Sequence, residues 1–185
     1  MKFIGVLMLL TLGTGARAAG DSRVVAACLN TGVMGSMTYR GQATAARILK
    51  SAGILLDWSN QERRCVEGQG ILVTLSLDTP PSQHAGALAY ARPFDGTRVV
   101  VFYDRVLSAA GPAVTPWLLG HVMAHEIVHI LQGADTHSAT GIMKPRWDKR
   151  DFDAMRRERL PFTPEDLALI DRGLEWRASR RHSAE

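Results

Sequence analysis

The residues with the clearest chemical potential in this chain are two histidines and a glutamate within five consecutive positions. His125 and Glu126 are adjacent, and His129 follows after two apolar residues. On an α-helix, positions i and i+4 lie on one face, about 6 Å apart along the axis, so two imidazoles at this spacing can bind one metal ion. Glu126 lies at the rim of that face, where its carboxylate can accept a proton from a metal-activated water without being a ligand. The spacing therefore predicts a zinc site with Glu126 as general base.

Two further histidines compete for the third ligand position. His137 follows Gly133, a residue that commonly ends helices. His121 lies one turn before His125, but three ligands on one straight helix would span about 12 Å, too far for a single ion. We therefore interpret His121 as an outer-shell or surface residue. The alternative interpretation of the whole segment is a buried helix whose histidines are only hydrogen-bonded.

The segment that follows the histidines predicts a tight turn. Residues 141–145 are Gly-Ile-Met-Lys-Pro, with glycine and proline enclosing Met143. The segment is thus predicted as a tight turn that carries a methionine.

The rest of the chain predicts an α+β domain that positions this helix. Thr115 and Pro116 suit an N-cap and a first turn, so the helix is predicted over residues 117–132. A strand–helix–strand unit near the start implies two parallel strands with a crossover. Apolar runs predict strands at 23–29, 54–58, 71–77, 87–92 and 98–103, and helical periodicity predicts helices at 37–52 and 164–177.

The first 18 residues have the pattern of a secretory signal. Lys2 precedes an apolar run at 3–12, and Ala-Arg-Ala at 16–18 suits cleavage. Ten apolar residues are too few to span a bilayer, so no stable membrane anchor is expected after cleavage. We expect a secreted or periplasmic protein in which residues 19–185 form a single domain.

Two cysteines and the charge distribution fit an exported, soluble chain. Export favours a disulfide between Cys28 and Cys65, with two free buried thiols as the alternative. The formal charge of +4 falls to +2 without the signal, and the basic and acidic residues after position 144 alternate. That pattern indicates an ion-paired surface and no nucleic-acid partner. We expect a monomer whose partner is a peptide or protein substrate.

With these residues and elements together, the chain resembles the metzincin clan of zinc endopeptidases, with a matrixin-like core. The resemblance implies a twisted mixed sheet of about five strands with one antiparallel edge strand at 87–92. It implies that this sheet packs against a helix and the zinc-binding helix, and that a C-terminal helix follows. It also implies zinc ligation by His125 and His129, a general base at Glu126, and a Met-turn methionine at Met143 beneath the metal.

The chain departs from the family pattern at the third ligand. The pattern H-E-x-x-H-x-x-G-x-x-H places a glycine and a histidine where this chain has Gln132 and Asp135. Gly133 and His137 come one and two residues late. We favour His137, because the later glycine permits another helical residue before the turn, and Asp135 remains the alternative.

The resemblance implies a zinc-dependent metallopeptidase, and two other functions stay open. One is a gluzincin-type peptidase with a carboxylate ligand downstream of the helix. The other is an exported zinc-binding or protease-like protein without catalytic activity. The carboxylates available to a gluzincin-type site are Asp148, Asp151, Asp153 and Glu158.

Overall fold

A computed structural model describes residues 23–66, 70–94 and 97–182 of this chain. The predicted signal at 1–18 lies outside these residues. Strands and helices alternate in the first half, and helices dominate the second. The elements are β1 Arg23–Asn30, α1 Ser36–Lys50, β2 Ile54–Ser59, α2 Glu62–Val66, β3 Ile71–Ser76, β4 Ala89–Ala91, β5 Arg98–Phe102, α3 Tyr103–Ala110, α4 Thr115–Gln132, α5 Lys149–Arg157 and α6 Pro164–His182.

The five strands form one sheet in the order β2-β1-β3-β5-β4. The pairs β1–β2, β1–β3 and β3–β5 are parallel, and β4 pairs antiparallel with β5 at the edge. A crossover between parallel strands needs a connection long enough to cross a face of the sheet, which α1 provides between β1 and β2. The α+β fold class with an antiparallel edge strand is thus confirmed.

The main core lies between the sheet and the helices α1 and α4. Every residue of α4 except Trp117 is buried. The two helices approach closely because glycines occupy their contact: a Cβ added at Gly120 would overlap the side chain of Thr44, and one at Gly41 would press on Leu119. The site helix is therefore held rigidly by apolar packing along its length.

The opposite face of the sheet carries a smaller cluster around a disulfide. Cys28 and Cys65 are bonded with an S–S distance of 2.02 Å, and both are buried with Leu72. Because Cys28 is on β1 and Cys65 on α2, the bond fastens this short helix to the sheet. The structure thus contains the disulfide predicted from the sequence.

Several local predictions differ from the structure. The N-cap of α4 is Val114, because the Thr115 hydroxyl turns back to donate to the Gly111 carbonyl oxygen at 2.8 Å. The helices α2, α3 and α5 are absent from the sequence prediction, because each has nine residues or fewer and apolar periodicity is read over a window of about 11–18 residues. In contrast, Thr163 does cap α6, where its hydroxyl accepts from the Asp166 backbone N–H at 3.1 Å. Among the described residues, no helix is long and apolar enough to cross a membrane.

Replacing Gly173 by alanine is expected to destabilise the protein, although alanine is the better helix former by about 1 kcal/mol. A Cβ at this position in α6 would overlap the backbone carbonyl oxygen of Leu131 in α4. Backbone cannot move aside as a flexible side chain can, and overpacking typically costs about 1–3 kcal/mol. Denaturant unfolding should therefore give a net loss of up to about 2 kcal/mol. Gly32→Ala, at a site with open space, is the control, and a Gly173→Ala protein as stable as wild type would contradict the close helix contact.

Candidate metal centre

The helix α4 presents two histidines on one side and then stops. His125 and His129 are buried, with ring centroids 4.7 Å apart. Gly133 adopts φ +65°, the left-handed conformation that glycine accepts without strain, and its N–H bonds to the His129 carbonyl oxygen. The chain therefore leaves the helix at Gly133, about one turn after the second histidine of the motif.

The loop after the helix brings a third histidine to the other two. The ring centroid of His137 lies 5.3 Å from that of His125 and 4.8 Å from that of His129. The potential ligand atoms of all three lie within 4.8 Å of one another. Asp135 lies on the same loop and lines the cleft that contains the three histidines, but it is not in this group.

Backbone carbonyls determine which nitrogens of the helical histidines are free. His125 Nδ1–H donates to the Ile142 carbonyl oxygen at 2.8 Å, and His129 Nδ1–H donates to the Ala134 carbonyl oxygen at 3.0 Å. Each Nε2 therefore carries a lone pair, and these two nitrogens are only 3.0 Å apart. Two lone pairs cannot hydrogen-bond to each other, so this arrangement fits a cation that both can ligate.

The histidines are also electrically suited to bind a metal. Burial lowers the pKa of His125 to about 3 and the pKa of His129 to about 4. Both imidazoles are therefore neutral near pH 7, the form that ligates metals. A set of three imidazole nitrogens suits zinc, as well as copper, iron and nickel.

The turn predicted at 141–145 supplies one of the orienting carbonyls. Gly141 has φ +77°, and an added Cβ there would overlap the Pro161 carbonyl oxygen. The Ile142 N–H donates to that same oxygen at 2.9 Å, while the Ile142 carbonyl accepts from His125. Met143 follows and is fully buried. The turn thus connects the first histidine to a distant segment of backbone.

Glu126 and the three histidines line one cleft, which has a volume of about 800 Å³. Its carboxyl group is buried, and desolvation raises its pKa to about 8, while a hydrogen bond from the Ala91 backbone acts in the opposite direction. The cleft lies between β4 on one side and the segment after the turn on the other. Glu126 therefore faces both the metal-type cluster and the edge strand.

Three of the four downstream carboxylates of the gluzincin-type alternative are engaged elsewhere. Asp148 and Asp151 both accept from Lys144 Nζ, at 2.9 and 2.6 Å, and Asp153 accepts from Lys149 Nζ at 2.9 Å. Asp148 also caps α5. Among the described residues, the only group of metal-type side chains that lie together is the three histidines.

His121 has a structural position away from this cluster. It is fully buried, so the expectation of a surface residue is wrong, and both of its nitrogens have partners. Nδ1–H donates to the Trp117 carbonyl oxygen at 2.8 Å, and Nε2 accepts from the Leu160 N–H at 3.3 Å. This histidine fastens α4 to the segment between α5 and α6.

Replacing His121 by alanine is expected to destabilise the protein by about 2–4 kcal/mol near pH 7 without changing its zinc content. The reasons are the cavity and the unpaired Leu160 N–H. Burial lowers the pKa of His121 to about 4 from 6.5. Between pH 6.5 and about 4, the unfolded chain therefore binds a proton at His121 more readily than the folded protein does. The contribution of His121 to the free energy of unfolding decreases as the pH falls through that range.

Unfolding curves of zinc-free wild type and His121→Ala at pH 7 and near pH 4 measure this difference. The gap between the two proteins should narrow by roughly 3 kcal/mol at the lower pH. His84→Ala, at an exposed site, is the control. Loss of zinc from His121→Ala would instead make His121 a ligand.

Sequence reasoning missed three participants in this site. The orienting carbonyls of Ala134 and Ile142 are invisible to residue type, because every residue has one. Trp147 lies edge-on to His125 with centroids 5.4 Å apart. Its closeness to the turn, two residues after Pro145, is the only signal that could have suggested it.

Comparison with known proteins gives a likeness in fold. No protein-family model and no curated protein sequence matches this chain. Its structure is similar to the crystal structure of archaemetzincin from Methanopyrus kandleri, with TM-score 0.52 and 17% identity over 83% of this chain and 97% of that chain. The structure of myroilysin matches less well, with TM-score 0.36 and 14% identity over 80% of this chain and 72% of that chain, a likeness too weak to indicate a shared fold. The fold of this chain is therefore similar to that of archaemetzincin.

Proposed function

We propose that this protein is a zinc-dependent endopeptidase, in which Glu126 acts as general base in peptide-bond hydrolysis. The observation that carries this proposal is the pair of Nε2 lone pairs on His125 and His129, 3.0 Å apart and oriented by backbone carbonyls. His137 completes the proposed ligand set. The matrixin-like character of the core is supported by the sequence pattern alone.

The residues of the cleft have separate tasks in this mechanism. Zinc held by the three histidines would supply Lewis acidity, which makes a water molecule more acidic and a peptide carbonyl more electrophilic. Glu126 accepts the proton of the attacking water at its carboxylate, and the positive charge of a bound zinc would lower the pKa of this group from the value of about 8 that burial gives it in the metal-free protein. Because Glu126 is buried in the cleft beside β4, the carboxylate is held where a bound peptide would pass.

The edge strand offers a place for that peptide. Leu88 and Arg92 make ladder hydrogen bonds to β5, so the alternate residues Ala89 and Ala91 direct their backbone groups to the free edge. The Ala91 backbone hydrogen-bonds to Glu126. The N–H and carbonyl of Ala89 are then available to an extended peptide, which could add to the sheet as a further strand.

The proposed site of action is outside the cytoplasm. The disulfide between Cys28 and Cys65 supports it, because such bonds persist in oxidising compartments. We propose that residues 1–18 direct export and that residues 19–185 act as one domain. We also propose that this domain works as a monomer.

The direct test is cleavage of a mixed peptide library by purified protein, with zinc content measured on the same sample. We expect about one zinc per chain, internal cleavage of peptides, loss of activity with a chelator and recovery on adding zinc. His129→Ala is the matched control and should lack both zinc and activity. Full zinc occupancy without cleavage of any peptide would instead favour a zinc-binding protein without catalysis.

A further inference from the structure

The loop from 77 to 88, between β3 and β4, forms one rim of the cleft and is held by the start of α3. Ala85 and Leu88 line the cleft. At the beginning of the loop, the Thr79 hydroxyl donates to Asp104 Oδ1 at 2.7 Å. The next residue of α3, Arg105, contacts the end of the loop. Two neighbouring side chains of one helix therefore hold both ends of the rim.

Arg105 makes the more extensive of these connections. Its Nη1 donates to the carbonyl oxygens of His84 at 2.7 Å and Ala87 at 2.9 Å, and its Nη2 donates to that of Gln83 at 3.5 Å. Its guanidinium also lies over the Phe102 ring, 5.3 Å from the centroid. A planar guanidinium can reach several carbonyls at fixed angles, which a single ammonium group cannot do as well.

The connection continues directly into the edge strand. Ala87, which Arg105 holds, is followed by Leu88, whose carbonyl oxygen accepts from the Phe102 N–H at 2.8 Å. The rings of Phe102 and Tyr90 lie 5.8 Å apart. Since β4 has only three residues and one partner strand, these contacts fix where it begins.

We propose that Arg105 is a positioning residue, which holds the rim of the cleft and β4 in register with Glu126 for peptide binding. This role rests on the proposed function, since β4 is the strand along which the peptide would align. Although Arg105 lines the cleft, its donors are directed to backbone carbonyls, so it acts through the loop and not as a receptor for a substrate carboxylate.

The test compares Arg105→Met, Arg105→Lys and the control Arg63→Met, which removes an exposed arginine from α2. We expect Arg105→Met to lower kcat/KM by about 10- to 100-fold, mainly by raising KM. Without Arg105, the backbone groups of β4 would be displaced and would bind and align the peptide less well. The fall in kcat/KM should be smaller in Arg105→Lys than in Arg105→Met. Zinc content should be unchanged in all three proteins. Hydrogen exchange should accelerate in Arg105→Met at residues 83–91 and not along α4.

Two results would overturn the role of Arg105. One is an Arg105→Met protein whose exchange at 83–91 and KM equal those of Arg63→Met. The other is faster exchange throughout the protein with an equal fall in thermal stability, which would make Arg105 a general stabiliser. Absence of peptidase activity in wild type would remove the proposed function, while the exchange measurement would still decide whether Arg105 holds the rim.

Discussion

Glu126→Gln is expected to lower peptide hydrolysis by at least about 10²–10⁴-fold while the protein keeps its zinc and its fold. Glutamine preserves the size and polarity of the side chain and can still accept a hydrogen bond from the Ala91 backbone. It cannot accept a proton from water at neutral pH. Zinc binding should persist, because the proposed ligands are the three histidines and Glu126 is not one of them.

The measurement that checks this prediction is zinc content and peptidase rate on the same preparations of wild type and Glu126→Gln. His129→Ala is the informative companion, since it should lose zinc as well as activity. Equal rates for wild type and Glu126→Gln would point to a contaminating protease or to another base. Loss of zinc from Glu126→Gln would assign Glu126 to the ligand set.

His137→Ala is expected to weaken zinc binding more than the roughly 10- to 100-fold that loss of an outer-shell partner costs. His137 offers one of only three ligand atoms in the cluster, and with it absent two helical histidines remain. Asp135→Ala should weaken zinc much less. The Asp135 carboxylate acts on His129 through its charge and lies outside the group of three histidines.

Competition with a chromophoric chelator gives both zinc affinities without relying on enzyme activity. Thr136→Ala, at the exposed position between the two residues, controls for general disturbance of the loop. The opposite ranking, with Asp135→Ala the weaker binder, would transfer the ligand role to Asp135. Equal small losses in both variants would mean that neither His137 nor Asp135 is the third ligand.

The sequence by itself determined the elements whose pattern is local. The spacing of His125 and His129 is a property of any α-helix, and the glycine at 133 ends that helix through its own backbone freedom. Apolar runs indicated the five strands, apolar periodicity indicated α1 and α6, and the histidine spacing together with Thr115, Pro116 and Gly133 indicated α4. The two cysteines needed only the signal pattern to be predicted as a pair. Each of these inferences depends on residues close in sequence or on composition.

Tertiary structure alone decided which groups from separate segments meet. His137 and Asp135 are two positions apart on one loop, and only the path of that loop brings His137 to the helical histidines. The interpretation of His121 as a surface residue is excluded by its burial and by its hydrogen bond from the Leu160 N–H, 39 residues away. The physical reason is that a loop has no repeating geometry from which a side-chain direction follows.

The orienting hydrogen bonds show the same division. The lone pairs of the metal-type site are set by carbonyls of Ile142 and Ala134, and the rim of the cleft is held by carbonyls that accept from Arg105. Every residue carries a backbone carbonyl, so residue type contains no information about which one accepts. The sequence could therefore predict a metal site at His125 and His129. Only the folded chain, by bringing distant backbone carbonyls to them, decided which nitrogen of each ring keeps its lone pair.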